Sequence, residues 1–383
     1  MTNHEANELL PGDEKRASDT SSFMSEPDIS GLIDWYREFR RDMPWRQTDN
    51  PYHIWLSEIM LQQTRVDQAL PYYNRFVQRF PDAASLSSAD LDEVLKLWEG
   101  LGYYSRARNL HKAARQIVEQ HDGNFPTTYK DVVSLKGIGP YTAAAVMSIA
   151  YNHPLPVVDG NVMRVISRIY LIEDDIRLTR TQKMIEKTAA KLLDRQQPGD
   201  FNQAVMELGA TICTPRSPSC HRCPLQNSCK AYRWDRTGDI PYKSPAKKRP
   251  HHQIAVGVIK DENNRMLISR RPDNAMLGGL WEFPGGKQES GETLQETVKR
   301  ELNEELGINV RVEQEPFEVI RHAYSHFTIT LHAFFATLDN ESLTPVSKNG
   351  EPVKWVFSED LVRYAFPKAN RKITETLVKY TAK

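Results

Sequence analysis

At 383 residues the chain exceeds what one ordinary hydrophobic core organises, so two domains are expected. Lys and Arg balance Asp and Glu at 50 against 50, and 39% of residues are hydrophobic, the profile of an ordinary soluble protein. No apolar run approaches the ~18 residues of a membrane helix. The start, MTNHEANELLPGDEKR, has no basic-then-apolar signal, which points to the cytoplasm.

The neutral total hides local asymmetry. Met1–Pro27 carries six acidic and two basic side chains with few large apolar groups, and residues 1–28 are expected to be a disordered acidic tail. Tyr52–Thr64, YHIWLSEIMLQQT, then predicts a helix. Glu58 shares its face with Ile54, Trp55, Leu61 and Gln62, one turn away. Among such neighbours a carboxylate is desolvated, its pKa rises, and it keeps a proton to donate. A partly exposed helix glutamate is the plainer alternative.

Thr128–Leu135 predicts a short helix, and LKGIGPYTAAAVMSIAY at Leu135–Tyr151 a turn leading into a longer one. Gly137 and Gly139 permit the turn, and Pro140 suits the first helical position. Free amides at such a helix start hold a DNA phosphate without reading sequence, although an ordinary helix-joining turn has the same letters. Asp159, in PVVDGNVMRV, follows Gly139 by twenty residues. On its own it reads as the cap of the helix beginning near Gly160. Its pairing with the glycine turn resembles the signature of the helix-hairpin-helix glycosylase superfamily, which implies a catalytic carboxylate here, and the two roles can coexist. Two carboxylates suit glycosidic cleavage, one protonating the leaving group and one stabilising the sugar cation.

The four cysteines, Cys213, Cys220, Cys223 and Cys229, fall within seventeen residues, spaced C-x6-C-x2-C-x5-C, with prolines at 215, 218 and 224. So irregular a loop has no core of its own and needs a metal centre to order it. A disulfide framework does not suit a reducing compartment. Tetrahedral zinc is the rival, but its ligands usually come as two close pairs, whereas four thiolates are the standard set for an iron–sulfur cluster. Lys230–His252 follows with seven Lys or Arg against two Asp and several prolines, and predicts a basic, extended linker able to lie along phosphates.

From Gln253 the pattern changes to short strands, QIAVGVI and RMLISRR around the turn DENN, and later HFTITLHAFFATL. Between them, Gly286, Glu292, Arg300-Glu301-Leu302, Glu304-Glu305, Gly307 and Ile308 occupy every fixed position of the Nudix box G-x5-E-x7-R-E-U-x-E-E-x-G-U. Glu301, Glu304 and Glu305 fall on one helix face at i, i+3 and i+4, a spacing able to hold Mg²⁺ or Mn²⁺. A Glu-rich helix capped and salt-bridged around Arg300 fits the same letters.

Taken together, the chain resembles the adenine DNA glycosylase family across nearly all of residues 30–380. The resemblance rests on MPWR (Met43–Arg46), LSEIMLQQTRV (Leu56–Val66), GLGYYSRARNL (Gly100–Leu110), LKGIGPYTA, VVDGN and the cysteine loop. It implies an all-α helix-hairpin-helix glycosylase domain at 29–233 with a [4Fe–4S] loop at 213–229. A basic linker at 234–252 and an α+β Nudix-like domain at 253–383 follow. By resemblance, Glu58 protonates the flipped adenine at N7. Asp159 meets the C1′ cation, with Tyr141 and Asn161 around it. Arg46, Gly137 and Gly139 lie on DNA, and Gln63 and Tyr103 wedge beside the lesion pair. Tyr324-Ser325-His326 matches a hairpin that meets 8-oxoguanine; a plain β-hairpin is the alternative. Bifunctional relatives carry a Schiff-base lysine where this chain has Tyr141, so water is expected to complete the reaction. The family's Nudix box is commonly degraded and this one is intact. The expected partner is duplex DNA with 8-oxoguanine:adenine or guanine:adenine mispairs, bound by a monomer. Two rivals remain, a Nudix hydrolase of oxidised nucleotides and a non-catalytic DNA-binding protein.

Overall fold

The computed structural model describes residues 26–245, 249–340 and 345–381. The acidic tail expected at 1–28 lies outside the described residues up to 25, as do residues 246–248 of the expected linker.

In chain order the helices are α1 (Leu32–Phe39), α2 (Pro51–Leu61), α3 (Val66–Arg79), α4 (Ala83–Ser88), α5 (Leu91–Trp98), α6 (Ser105–His121) and α7 (Tyr129–Ser134). They continue with α8 (Pro140–Tyr151), α9 (Gly160–Tyr170), α10 (Thr179–Leu192), α11 (Pro198–Thr211) and α12 (Lys230–Arg233). Strands follow: β1 (His251–Ile259), β2 (Met266–Arg270), β3 (Trp281–Glu282) and β4 (Gly285–Lys287). Helix α13 (Leu294–Leu306) precedes β5 (Val310–Val312), β6 (Glu318–Ala323), β7 (Thr328–Leu338) and β8 (Val353–Val356), and α14 (Lys368–Thr381) ends the series.

The chain divides into two compact units, Met1–Met43 with Met147–Ser244, and Pro44–Val146 with Pro245–Lys383. The expected helical span 29–233 contributes to both, and the expected C-terminal domain lies whole in the second.

In the first unit, Leu32 and Tyr36 of α1 pack with Val162, Ile166 and Ile169 of α9, Ile185 of α10 and Val205 and Leu208 of α11. The expected linker is shorter than its composition suggests. Ile240 is buried, Tyr242 accepts a backbone bond from Ile176, and Arg236 pairs with Glu173 and Asp239. Local acidic partners and one buried isoleucine thus fold the stretch onto its own unit as far as Ser244.

In the second unit, β1 pairs parallel with β7 and antiparallel with β4, and β5 and β6 pair antiparallel with β7. A smaller sheet runs β3-β2-β8. Helix α14 covers one side of the strands through Ile373 and Leu377, and α13 covers another through Val298 and Leu302. Covered on both faces, β1 is continuously buried from Ala255 to Ile259 rather than alternating. A capping box of Thr293 and Glu296 starts α13, and Gly307 at φ +68° ends it.

Candidate functional site

Helix α2 begins where Asn50 Oδ1 accepts from the Tyr52 amide at 2.9 Å and Pro51 takes the first position. Every residue from Tyr52 to Met60 except His53 is buried, Glu58 among them at 9% exposure. An exposed helix glutamate is therefore excluded. A buried carboxyl needs a partner, and Tyr141 Oη donates to Glu58 Oε2 at 3.2 Å. One turn on, Gln62 Nε2 donates to Thr142 Oγ1 at 3.2 Å. The end of α2 and the start of α8 are thus laced together. Tyr141, which the resemblance places around Asp159, donates to Glu58 within its own unit.

The helical hairpin forms as expected from α7, its turn and α8. Thr128 caps α7, and Gly137 takes φ +79° with a Cβ position only 2.6 Å from the Asn109 side chain. Gly139 does not need positive φ; it leaves open space before α8 where a backbone or phosphate can approach.

Two exposed side chains project from strained loops in the same unit. Gln63 has φ 57° and Tyr103 φ 48°, left-handed conformations that side chains rarely adopt and that cost about 1 kcal/mol or more each. Arg106, which the sequence reading missed, secures both loops. Its Nη1 donates to the carbonyls of Ile59, Met60 and Gln62 at 2.8, 2.9 and 2.7 Å. Its Nη2 reaches Thr64 Oγ1 at 3.2 Å and the Gly102 carbonyl at 3.1 Å. Burial lowers the guanidinium to about 10, so it stays cationic at neutral pH. Arg46 ends a short 3-10 turn, Pro44–Arg46, and is half-buried.

The hairpin between β6 and β7 is tight, the Tyr324 amide donating to the Phe327 carbonyl at 2.9 Å. Ser325 and His326 stand exposed at its tip. Tyr324 is half-buried, its ring 4.6 Å from His322 and 5.0 Å from Phe327. The Tyr103 and Ser325 hydroxyls are hydrogen-bonded, which joins the α5–α6 loop to the hairpin tip across more than two hundred residues of sequence.

In the first unit, Asp159 caps α9: its Oδ1 accepts from the Val162 amide at 2.7 Å and its Oδ2 from Asn161 Nδ2 at 2.8 Å. Part of the residue reaches the surface. Desolvation nevertheless dominates and pushes its pKa up, against those hydrogen bonds and nearby Arg164. Arg164 also went unforeseen. It donates to Asn161 Oδ1 at 2.8 Å and to the Gly209 and Cys213 carbonyls at 2.6 and 2.7 Å. Arg168, buried one turn on, donates to Cys213 Sγ at 3.2 Å and the Thr214 carbonyl at 2.8 Å. Hydrogen bonds therefore run from Asp159 through Asn161 and Arg164 to the cysteine loop. The signal was present: Asn161, Arg164 and Arg168 sit at i, i+3 and i+7, one stripe of an otherwise apolar helix.

The loop itself is held by short turns, Cys223 N donating to the Cys220 carbonyl at 3.0 Å and Cys229 N to that of Gln226 at 3.2 Å. Burial, and then the neighbouring thiols, raise Cys220, Cys223 and Cys229, Cys223 to about 12. Among the described residues no three His, Cys, Asp or Glu side chains converge as one ion requires. Zinc would draw sulfurs to ~2.3 Å from a single point, whereas a cubane cluster takes one thiolate at each of four irons. This donor set fits the cluster. Bound, it would supply four iron–thiolate bonds that fix the loop beside Arg168.

The Nudix box shows the salt bridges around Arg300 that the sequence offered as the alternative to a metal site. Arg300 grips Glu292 with two bonds, at 3.0 and 2.8 Å, and also reaches Glu301 at 3.0 Å and Glu304 at 3.1 Å. Glu305 is held apart: desolvation, then Glu282 and Glu301, raise it to about 7. Glu282 is buried against Arg271, and a Cβ on Gly286 would collide with the Glu301 carboxylate. The face shared by Glu301, Glu304 and Glu305 is thus divided between an arginine clamp and a buried acid.

Three family patterns match the chain: the HhH-GPD superfamily of base excision DNA repair proteins at residues 56–195, the iron-sulfur binding domain of endonuclease III at 213–229, and the NUDIX domain at 255–376. The mouse (Mus musculus) adenine DNA glycosylase is 33% identical over 90% of this chain and 76% of its own length. That of Buchnera aphidicola subsp. Schizaphis graminum is 33% identical over 90% of this chain and 96% of its own. The chain belongs to the adenine DNA glycosylase family. It is an enzyme of base excision repair that hydrolyses the N-glycosyl bond of adenine in DNA, and it carries the family's [4Fe–4S] loop. A thermostable thymine-DNA glycosylase structure is 29% identical at a TM-score of 0.49, covering 58% of this chain and 100% of that one. No helix among the described residues is long and apolar enough to cross a membrane.

Proposed function

We propose that this enzyme removes adenine paired with 8-oxoguanine, or with guanine, from duplex DNA and stops at the abasic site. Glu58, desolvated and partnered by Tyr141, gives its proton to N7 of the extruded adenine. The electrons of the breaking N9–C1′ bond then go to the base as it leaves. Asp159 faces the cation left at C1′. Its charge is disfavoured by burial in the free protein, so it gains most when positive charge develops beside it. Asn161 and the α9 amides hold that carboxylate in position. Water captures the cation, because Tyr141 stands where lyase relatives carry an amine.

Arg46 and the amides around Gly137 and Gly139 grip phosphates. Gln63 and Tyr103 enter the stack, and Tyr324–His326 reads the base opposite adenine. The glycosylase part spans 29–233 and the reader 253–383, acting as a cytoplasmic monomer. The observation that carries the lesion-reading part is the Tyr103–Ser325 hydrogen bond: a side chain suited to enter the duplex touches the tip of the C-terminal hairpin. The test is single-turnover adenine release from 8-oxoguanine:adenine and guanine:adenine duplexes. His326→Ala and Ser325→Ala should each lower the first rate about tenfold or more while changing the second little, since a reader's polar groups discriminate by being left unpaired on the wrong base. Equal losses on both duplexes would reduce the hairpin to a piece of fold.

A further inference from the structure

Glu99 is the cap residue that follows α5 and directly precedes the loop Gly100–Tyr103. We propose that it is a positioning residue that latches this loop to the C-terminal domain, so that Tyr103 and the Tyr324–His326 hairpin arrive together at the base opposite adenine. The proposal rests on the lesion-reading role given above.

The side chain of Glu99 is 12% exposed, and both of its oxygens are used. Oε1 accepts from the Phe366 amide at 2.9 Å, and Oε2 from Lys96 Nζ at 2.7 Å. Lys96 Nζ also donates to the Tyr364 carbonyl at 3.0 Å, so the pair holds two main-chain groups of one C-terminal segment. The backbone of the same residue is pinned on the helical side. Tyr72 Oη donates to the Glu99 carbonyl at 2.9 Å, and the Gly100 amide donates to Tyr104 Oη at 3.0 Å. Gly100 has φ +98°, and a Cβ there would meet the Tyr72 hydroxyl, so the loop leaves this anchor in one direction only.

The other end of the latch leads to the hairpin. Phe366 is buried with Phe283, Ile320 and Leu331. Ile320 lies on β6 and Leu331 on β7, the two strands that the hairpin joins, and they are register partners. Segment 364–366 therefore belongs to the same packed body as the hairpin, and packed bodies transmit position. Loop and hairpin are joined twice, at Glu99–Phe366 in the interior and at Tyr103–Ser325 on the surface. The surface pair is a neutral contact that water can replace. The interior one is a charge-assisted bond to a buried amide, the stronger kind. A neighbouring contact, Trp281 Nε1 to Asp92 Oδ2, is longer at 3.4 Å.

The experiment uses the full-length enzyme and the same two duplexes under single turnover. Glu99→Ala should cut the preference for 8-oxoguanine:adenine about tenfold, while release opposite guanine stays within about twofold of the unaltered enzyme. Glu99→Gln keeps an acceptor for the Phe366 amide and should restore most of the preference, which a general loss of packing would not allow. In a Ser325→Ala background, Glu99→Ala should add little, because both act through one joint. If Glu99→Ala does not fold, Lys96→Met, which removes the bonds to Tyr364 and to Glu99 Oε2 but leaves the Glu99–Phe366 bond, should give a smaller loss in the same direction. Equal loss on both duplexes, full additivity with Ser325→Ala, or unchanged preference would each overturn the latch. If Ser325→Ala and His326→Ala keep full preference, the lesion-reading role fails and the latch with it. If they lose it and Glu99→Ala does not, only the latch fails.

Discussion

Glu58 and Glu304 both lie on helices, within runs that a family pattern singles out, and their surroundings have opposite consequences. Glu58 is buried on a helix of largely apolar, buried residues and accepts a hydrogen bond from the Tyr141 hydroxyl. Glu304 is exposed and tied to Arg300, whose guanidinium also holds Glu292 and Glu301. A carboxyl meant to move a proton must sit where charge is costly. One satisfied by an arginine holds a helix in place and has little left to give. The intact Nudix box and the glycosylase site differ in this respect more than in the residues they contain.

The largest effects should come from the carboxylates on the chemical side. Glu58→Gln and Asp159→Asn should each reduce single-turnover adenine release by about a thousandfold or more, with duplex affinity nearly unchanged, since in the proposed mechanism both act on charge that develops only in the transition state. Glu304→Gln in the full-length enzyme should change release less than about twofold. Were the Glu304 variant as damaged as the Glu58 variant, the contrast between the two helices would collapse.

Next in size is the cysteine loop. Cys223→Ala should lose the cluster, dropping iron from about four per chain and abolishing the broad absorbance of the purified protein. DNA affinity should fall with it, because the loop is built of short turns whose buried apolar anchor is Leu225, too little to replace the metal. Iron analysis and the visible spectrum decide this, and retained iron would mean the four cysteines are not one ligand set. A smaller effect is expected at Tyr141. Tyr141→Phe removes the hydrogen bond to Glu58 and should slow release about tenfold, the lower end of what an acid's positioning partner contributes. Borohydride should trap little of the unaltered enzyme on DNA and more of Tyr141→Lys. Efficient trapping without that lysine would mean that some other amine attacks C1′.

What was legible in the sequence was whatever a short segment decides alone. The capped start of α2, the turn at Gly137, Asp159 as a cap, the four-cysteine spacing and the β6–β7 hairpin all follow from neighbours within a few residues. Partnerships across long separations were not legible. Glu58 meets Tyr141, Arg106 joins two loops, Arg168 reaches Cys213, and Glu99 reaches Phe366, each pair set by how helices pack rather than by local pattern. In the Nudix helix the spacing put Glu301, Glu304 and Glu305 on one face and left salt bridges around Arg300 as the alternative. Both features are present, while the burial of Glu282 beside Glu305 depends on packing that the spacing does not carry.

Glu305 offers the finest test of that distinction, and the expected effect is on stability alone. Its pKa is raised to about 7 by burial first and by Glu282 and Glu301 next, against an ordinary value of 4.5. The folded protein therefore binds a proton more readily at this site than the unfolded chain does. Stability contributed here is greatest below pH 4.5, declines as pH rises through 7, and is flat above that. At pH 8 the folded state carries an ionised, poorly solvated glutamate, a penalty on the order of 3 kcal/mol. Glu305→Gln should remove most of it, raising protection of α13 amides in hydrogen exchange at pH 8 while leaving protection at pH 5 nearly unchanged. A divalent cation at the box would reverse the sign, since an ionised Glu305 would then have a partner worth keeping. If Glu305→Gln weakened α13 at pH 8 in the presence of Mg²⁺ or Mn²⁺ but not in its absence, the box would be a metal site. Metal-dependent hydrolysis of oxidised guanosine triphosphate by the full-length enzyme would then be the next thing to measure. Without that reversal, the carboxylates of α13 serve the fold that carries the hairpin, and the chemistry proposed for Glu58 and Asp159 gains no second centre.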